Sequence, residues 1–444
     1  MSTSDPPTPS VSETPPAPAS RRMAGPVQPT ERIQTIDILR GLAIFGILLV
    51  NMEMFNQSML NMIAQLKTPA TLLDQLARWF VAFFGEGKFY STFSFLFRLG
   101  MAIQFGRAQE RGARFGRFWL RRMAVLLGFG LIHAYLIWPG DILILYSVLG
   151  AGLLLWRHAR PRTLLIWALV FLLLPLVINA ALLGLTMLAR LAPEGEAMMT
   201  QVFDQQIANY RDLAVQADHI YATGSFAQAT AQRARDMIIM YMAWPFMAFN
   251  VWAMMLLGVY AGKRRIFHDL TNHLPLIRRV WLWGLIVGVV GNFLFVYFGH
   301  ISNRTIPSPQ LLASLVGQTF GAPALALFYM ATLTLLAERV RLWQAQATAL
   351  ENVWRRRLAP LSLAGRMALT NYLMQSVICT TLFYGYGFGL YGRVGIAGGI
   401  ALTLAIYAVE IVWSGWWLSR FRFGPAEWLW RTLTYGRRQP MRTA

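Results

Sequence analysis

One cysteine in 444 residues leaves no disulfide framework and no cysteine metal site within a single chain. That residue, Cys379, lies in an apolar run. Charge is scarce as well: 14% of residues are charged against 56% hydrophobic, which argues against a soluble protein of two or three domains. Acidic residues number 20 against 40 basic ones, a formal balance of +20. In a soluble chain that excess would suggest nucleic acid. Here the basic residues fall between apolar runs, so membrane topology explains them and no nucleic-acid partner is expected. The six histidines are dispersed, which gives no support to a metal site. A phosphate-cradling P-loop, an HExxH helix, a dinucleotide glycine fingerprint and a GxSxG elbow are all missing. The apolar runs do not alternate with polar positions, which sets a membrane β-barrel aside.

What is present is a series of apolar runs, each long enough to cross a hydrocarbon core of roughly 30 Å, which takes about 20 residues of helix. The expected fold is therefore all-α: a polytopic integral membrane helix bundle of about ten transmembrane helices. They are placed near residues 36–56, 76–105, 122–138, 141–157, 163–189, 236–262, 281–300, 311–337, 362–386 and 394–419. The second is too long for one straight span. Its interruption at Gly85-Glu86-Gly87-Lys88 suggests a short interfacial or re-entrant piece ahead of the crossing. Basic residues concentrate in alternate connections, from Arg32 and Arg40 through Arg107, Arg111, Arg114, Arg117, Arg121 and Arg122 to Lys263, Arg264 and Arg265 and the C-terminal arginines. The positive-inside rule then puts both termini in the cytoplasm, with the bundle in the plasma (inner) membrane.

Residues 1–31 are rich in Pro, Ser and Thr and have no apolar h-region, so an uncleaved, disordered cytoplasmic tail is expected. Residues 32–420 form the bundle. Within them, 190–235 carries Met199, Val202, Phe203, Ile207, Tyr210 and Leu213 at helical spacing, which reads as an extracytoplasmic amphipathic helix or a connector packed on neighbouring loops. Residues 421–444, with Pro425 and Glu427 opening a helix that carries Trp428, Trp430, Arg431 and Tyr435, suit an interfacial basic and aromatic anchor and tail.

Ionisable groups at membrane depth cost roughly 2.5 kcal/mol or more each on insertion scales, so each is a functional candidate until a partner accounts for it. Arg40 and Asn51 in RGLAIFGILLVN are eleven residues apart, roughly 16 Å of helical rise, on one face at opposite depths. They read either as a polar face through the bilayer or as a positive-inside anchor and an interhelical hydrogen bond. In GLIHAYLIWPGDILILY, His133 and Asp141 flank a Pro139-Gly140 corner that makes their helices antiparallel neighbours. A carboxylate beside the imidazole would orient it and raise its basicity, as a general base requires. The plainer reading of Asp141 is a helix cap. Tyr146 closes the stretch and joins the candidate binding residues. Lys88 and Arg98 can neutralise a phosphate, although a lysine near a helix end can also snorkel. Asn371 and Gln375 share a helix face at i, i+4, where interhelical hydrogen bonding is the main reading and ligand contact the other. Glu410, alone in the last span, needs a basic partner or a proton.

The segments IDILRGLAIFGILLVNMEMF, KFYSTFSFLFRLG, RRMAVLLGFGLIHAYLIWPGDILILY, GRMALTNYLMQS and FGPAEWLWRTLTYGRRQPMR together resemble the YeiB-like membrane proteins, whose C-terminal portion is a domain-of-unknown-function family numbered 418. The resemblance covers residues 32–442 in order. More distantly, the LRG start of the first helix, with a polar residue eleven positions after Arg40, is similar to membrane acyltransferases such as the heparan-glucosaminide N-acetyltransferase group. Those enzymes carry an acyl group from cytoplasmic acyl-CoA to an outside acceptor. Where the general acyltransferase pattern has a working histidine this chain has Asn51, and residues 52–75 contain none, so His133 is the replacement, with Asp141 as its orienter.

The resulting expectation is an acyltransferase of the cell envelope. His133 and Asp141 are its candidate catalytic pair, and Arg40, Asn51, Lys88, Arg98, Tyr146, Asn371 and Gln375 its binding residues. No cofactor is tightly bound, acyl-CoA is the donor and a glycan or other envelope component the acceptor. The alternative is a proton-coupled transporter or permease using His133, Asp141 and Glu410.

Overall fold

The computed structural model of the protein describes residues 33–67, 69–110, 115–344 and 349–442. The expected tail of residues 1–31 lies outside the described residues, as do Arg32, Arg111 and Arg114.

Helix after helix forms where the apolar runs stand. In chain order they are α1 (Gln34–Asn56), α2 (Met59–Ile63), α3 (Leu72–Phe84), α4 (Lys88–Glu110), α5 (Phe115–Ile132), α6 (Leu143–Gly152), α7 (Pro161–Arg190) and α8 (Gly195–Thr223). The second half contains α9 (Phe226–Lys263), α10 (Leu270–Ile301), α11 (Pro309–Gln344), α12 (Ala349–Arg366), α13 (Ala368–Phe383), α14 (Ile396–Leu418) and α15 (Pro425–Tyr435). Among the described residues the only β pairing is an isolated bridge between Phe421 and Arg442. The protein is an all-α, multi-pass membrane helix bundle.

Among the described residues six helical stretches are long and apolar enough to cross a bilayer: α1, α5 with its extension to Ile137, α7, α10, α11 to Arg339, and α14. A seventh is α9, if its two arms, bent by 69° around the segment containing Pro245, count as one span. The other three expected segments are also helical but fall short of that test. The apolar stretch of α6 with its following turn runs only Leu143–Trp156, α13 has 16 residues, and α4 carries Lys88 and Arg98.

Helix α1 is central and packs on α4, α11, α12, α13 and α14. Its burial is spread around the helix, from Leu39 and Ala43 to Leu48 and Phe55, because neighbours surround it. Peripheral helices instead turn Leu, Val and Trp outward, as Leu165, Ile166 and Trp167 do on α7 and Val409 and Val412 do on α14. That is the side-chain distribution of a lipid-facing surface. Helices α10 and α11 approach backbone to backbone: a Cβ on Gly321 would collide with Gly291 and the Asn292 amide. Small residues at such crossings let membrane helices pack without a water-driven hydrophobic force.

Several boundaries differ from the sequence expectation: the segment placed at 362–386 is broken between α12, which ends at Arg366, and α13, which begins at Ala368, and α5 begins at Phe115 rather than 122. Helix α9 begins at Phe226, ten residues before 236, because Ser225 and Gln228 form a reciprocal capping box, with Ser225 N donating to Gln228 Oε1 at 2.8 Å. Helix α10 begins at Leu270, before 281, since its first turns carry His273, Arg278 and Arg279 and therefore read as polar rather than apolar. The break before Lys88 falls at Gly85–Gly87, and Gly87 takes φ +85°, a conformation glycine adopts without strain.

Candidate functional site

The hairpin between α5 and α6 is built to bring its histidine and carboxylate together. Helix α5 ends in a one-turn π-helix, His133–Ile137, closed by Trp138 N donating to His133 O at 2.8 Å. Single π turns occur often at functional sites. The chain reverses at Pro139-Gly140 and re-enters as α6. Asp141 Oδ1 accepts from Ile144 N at 2.8 Å, capping α6, while Oδ2 lies 2.8 Å from His133 Nδ1. One carboxylate thus caps a helix and orients an imidazole. The approach needs Gly130, where a Cβ would meet Ile144 N and Asp141 Oδ1.

His133 is completely buried and Asp141 nearly so. Tyr372 of α13 has its ring 5.0 Å from the imidazole, and its hydroxyl accepts from Ile142 N at 3.3 Å. The carboxylate at Nδ1 selects the tautomer with hydrogen on that nitrogen. Nε2 then carries a lone pair, and it has no hydrogen-bond partner among the described residues. A buried, oriented imidazole with a free Nε2 can accept a proton from a substrate hydroxyl or amine.

A turn further along α6, the Tyr146 hydroxyl lies 2.8 Å from Ser94 Oγ and donates to Tyr90 O at 3.0 Å. The Tyr146 carbonyl accepts from Arg98 Nη2 at 3.2 Å. The rest of the Arg98 guanidinium faces sulfur and aromatic rings: Met255, Met101 and Met123 at 3.4, 3.5 and 3.9 Å, Phe97 at 4.7 Å and Trp119 at 5.0 Å. Among the described residues no carboxylate pairs with this fully buried cation.

The remaining candidates are occupied in different ways. Lys88 Nζ donates to Ala82 O at 2.8 Å, satisfying a free carbonyl at the end of α3 where a cation is favoured. Arg40 pairs with Asp37 at 3.1 Å. Asn371 donates to Ala364 O and to Ser414 Oγ, tying α13 to α12 and α14. Gln375 donates to Glu410 Oε2 at 2.8 Å, while Glu410 Oε1 has no partner among the described residues. Asn51 is half-buried on α1.

Two cavities lie at opposite ends of α1 and α13. The one at the Arg40 end, about 220 Å³, is lined by Arg40 and Tyr146 together with Asp37, Arg122, Arg366, Glu427 and Arg431. The one at the Asn56 end, about 350 Å³, is lined by Glu53, Asn56, Lys67, Asp74, Arg78 and Arg393. The site residues expected from sequence do not share one space. Arg40 and Tyr146 line the first cavity, whereas Asn51, Lys88, Arg98, His133, Asp141, Asn371 and Gln375 line neither. Sequence reasoning missed Arg122 and Arg431 as cavity residues because both count towards the positive-inside pattern, and it missed Arg366, which stood only as the start of the Asn371–Gln375 segment.

Residues 261–437 match the family described as protein of unknown function (DUF418). Over 434 residues the chain is 38% identical to "Uncharacterized protein YxaH" of Bacillus subtilis (strain 168), an alignment covering 94% of this chain and 98% of that protein. It is also 27% identical over 431 residues to "Uncharacterized protein YeiB" of Escherichia coli (strain K12), covering 91% and 96%. The chain belongs to the YeiB-like family. A further YeiB-like relative, the "Uncharacterized 39.9 kDa protein in amylase 3'region" of Bacillus acidopullulyticus, is 29% identical over 429 residues, covering 94% of this chain and 97% of that one. No solved structure matches the chain. The DUF418 region holds Arg366, Asn371, Gln375, Glu410, Glu427 and Arg431, while the His133–Asp141 pair precedes it.

Within that DUF418 region, Glu427 does more than open a terminal helix. Its carboxylate accepts from Leu369 N at 2.7 Å, Thr370 N at 3.1 Å and Thr370 Oγ1 at 2.6 Å, capping α13 from α15. Burial pushes the carboxyl up from its usual 4.5, with the hydrogen bonds from Thr370 and Leu369 opposing. An acid raised in the folded state contributes stability that is full below its unfolded value and is lost as pH rises through the folded one. Glu427→Gln removes that titration. The melting temperature of the YeiB-like protein relative to this variant is therefore expected to be greatest below pH 4.5 and to shrink as pH rises through the raised folded value. A margin that widens with pH would contradict this account.

Proposed function

We propose that this YeiB-like protein is a membrane acyltransferase of the cell envelope, taking an acyl group from acyl-CoA on the cytoplasmic side of the inner membrane. The Arg40 end of the bundle faces the cytoplasm, as its arginines suggest. The observation that carries the reading is the buried His133–Asp141 pair with its free Nε2. His133 Nε2 takes the proton of an acceptor hydroxyl or amine, and the acceptor atom bonds to the thioester carbonyl carbon. The carbon–sulfur bond breaks, and the leaving thiolate takes the proton back from His133. Asp141 stabilises the imidazolium between those two events.

Arg40 and Tyr146 would hold the donor, since the cavity they line reaches Leu143, two residues from Asp141 along the chain. Asn51 would polarise the acyl carbonyl by hydrogen bonding. Lys88, Arg98, Asn371 and Gln375 complete the proposed binding set by holding α3, α4, α12, α13 and α14 in register around it. A glycan or other envelope component would be the acceptor.

A second reading, a proton-coupled carrier, is favoured by Glu410, a buried carboxylate whose described partner is the neutral Gln375. One experiment separates them. Protein in liposomes is given acyl-labelled acyl-CoA on one side and envelope extract on the other. Label in the extract is expected. Its absence, with solute uptake that needs no acyl-CoA, overturns the transferase in favour of the carrier.

A further inference from the structure

We infer that the cavity at the Arg40 end is a binding site for the phosphate head group of an amphiphile. The inference stands on the cavity itself and does not require the transfer chemistry.

Its lining is cationic. Arg40, Arg122, Arg366 and Arg431 face one space of about 220 Å³, and the acids among its lining residues are Asp37 and Glu427. Both acids have structural engagements: Asp37 pairs with Arg40, and Glu427 accepts the N–H groups that open α13. A fifth guanidinium stands directly behind the wall. Arg98 is fully buried with no carboxylate partner among the described residues, and four of the groups it touches, Phe97, Met101, Trp119 and Tyr146, are themselves cavity-lining residues. A charge held that deep is costly, and the cost is compensated when an anion enters the adjoining space.

Shape and size define the anion. Guanidinium groups present planar forks that match the oxygens of a phosphate, and several of them around a compact space suit a tetrahedral, multiply bonded group. The volume is below the roughly 300–1,000 Å³ of pockets that enclose whole drug-sized ligands, so a head group enters and the remainder stays outside. Apart from Gln104 and the Tyr146 hydroxyl, the rest of the lining is mainly apolar, including Phe93, Leu96, Leu126 and Leu143, which suits the first part of a hydrocarbon chain. The ligand is therefore a phosphate with an attached apolar chain. Phosphatidic acid and a long-chain acyl-CoA both carry that chemistry.

The test uses the full chain in neutral detergent, with thermal melting titrated against dioleoyl phosphatidic acid, dioleoylglycerol and palmitoyl-CoA. Phosphatidic acid is expected to raise the melting temperature saturably, with dioleoylglycerol inert. The double variant Arg40→Gln/Arg122→Gln is expected to weaken phosphatidic acid at least about tenfold, and Arg40→Lys/Arg122→Lys to recover part of the loss. Palmitoyl-CoA weakened by the same change assigns the site to both sources. Palmitoyl-CoA without binding, or unaffected by the change, assigns it to the lipid, and the converse pattern assigns it to the thioester. If the glutamine double variant melts early without ligand, Arg431→Gln on α15 makes the same comparison. Equal binding of phosphatidic acid and dioleoylglycerol, neither phosphate probe binding, or wild-type affinity in the variants overturns the inference.

Discussion

His133→Ala is expected to lower acyl transfer from labelled acyl-CoA to envelope acceptor by about 10²–10⁴-fold, the usual effect of removing a positioned general base. The side chain has no other described duty beyond its bond to Asp141 and its ring contacts. Asp141 does have one, since it caps α6 through Ile144 N. The two substitutions at Asp141 therefore separate orientation from capping. Asp141→Asn keeps a cap-forming oxygen but loses the charge that supports the imidazolium, so transfer falls while the melting temperature changes little. Asp141→Ala loses both and melts earlier, by about 1 kcal/mol of cap stability. Residues acting as a unit are not additive, so His133→Ala/Asp141→Asn transfers no worse than His133→Ala alone. A merely structural pair gives another result: both variants melt earlier, and transfer per folded molecule is unchanged. That outcome, or full transfer by His133→Ala, would remove the base from the mechanism.

The hairpin was legible in sequence because its information is local. The histidine lies six residues before a Pro-Gly corner and the aspartate directly after it, so the pair is eight residues apart and a tight turn leaves them few alternatives. The break before Lys88 was legible for the same reason, with two glycines around Glu86 in an otherwise apolar run. Where the sequence expectation stopped short, polar residues were continuing a helix. The first turns of α9 and α10 are too polar to register as membrane spans, although the Ser225–Gln228 capping box marks the true start of α9. Contacts between distant segments carry no such local mark. Glu427 caps α13 across more than fifty residues, and Arg122, Arg366 and Arg431 meet around one cavity from three helices. Positive-inside topology explained Arg122 and Arg431 well enough, and Arg366 stood only within the GRMALTNYLMQS segment, so nothing in the sequence singled them out. Spacing placed Arg40 and Asn51 on one polar face, yet it could not place Asn51 in a cavity, because what α1 faces depends on its neighbours.

Arg98→Met is expected to make the unliganded protein more stable and the same cavity less able to hold its anion. The guanidinium already lies among three methionine sulfurs and two aromatic rings, surroundings that accept a flexible thioether readily. The hydrogen bond lost is to the Tyr146 carbonyl, which is also an acceptor within helix α6. Replacing buried charge by an apolar side chain of similar size is often neutral or stabilising by about 1–4 kcal/mol, so the unliganded variant melts later than wild type. The cation behind the Phe97–Trp119 wall is then gone, and its attraction for a phosphate across a low-dielectric partition goes with it. Phosphatidic acid affinity falls about tenfold, equivalent to roughly 1.4 kcal/mol. The two effects oppose each other in one experiment: the variant's melting curve starts higher and gains less from ligand. If Arg98 serves packing alone, the variant melts earlier or unchanged and ligand stabilises it as much as wild type. A gain in stability coupled to a loss in binding instead means that this membrane bundle retains an energetically unfavourable charge because its cavity uses it.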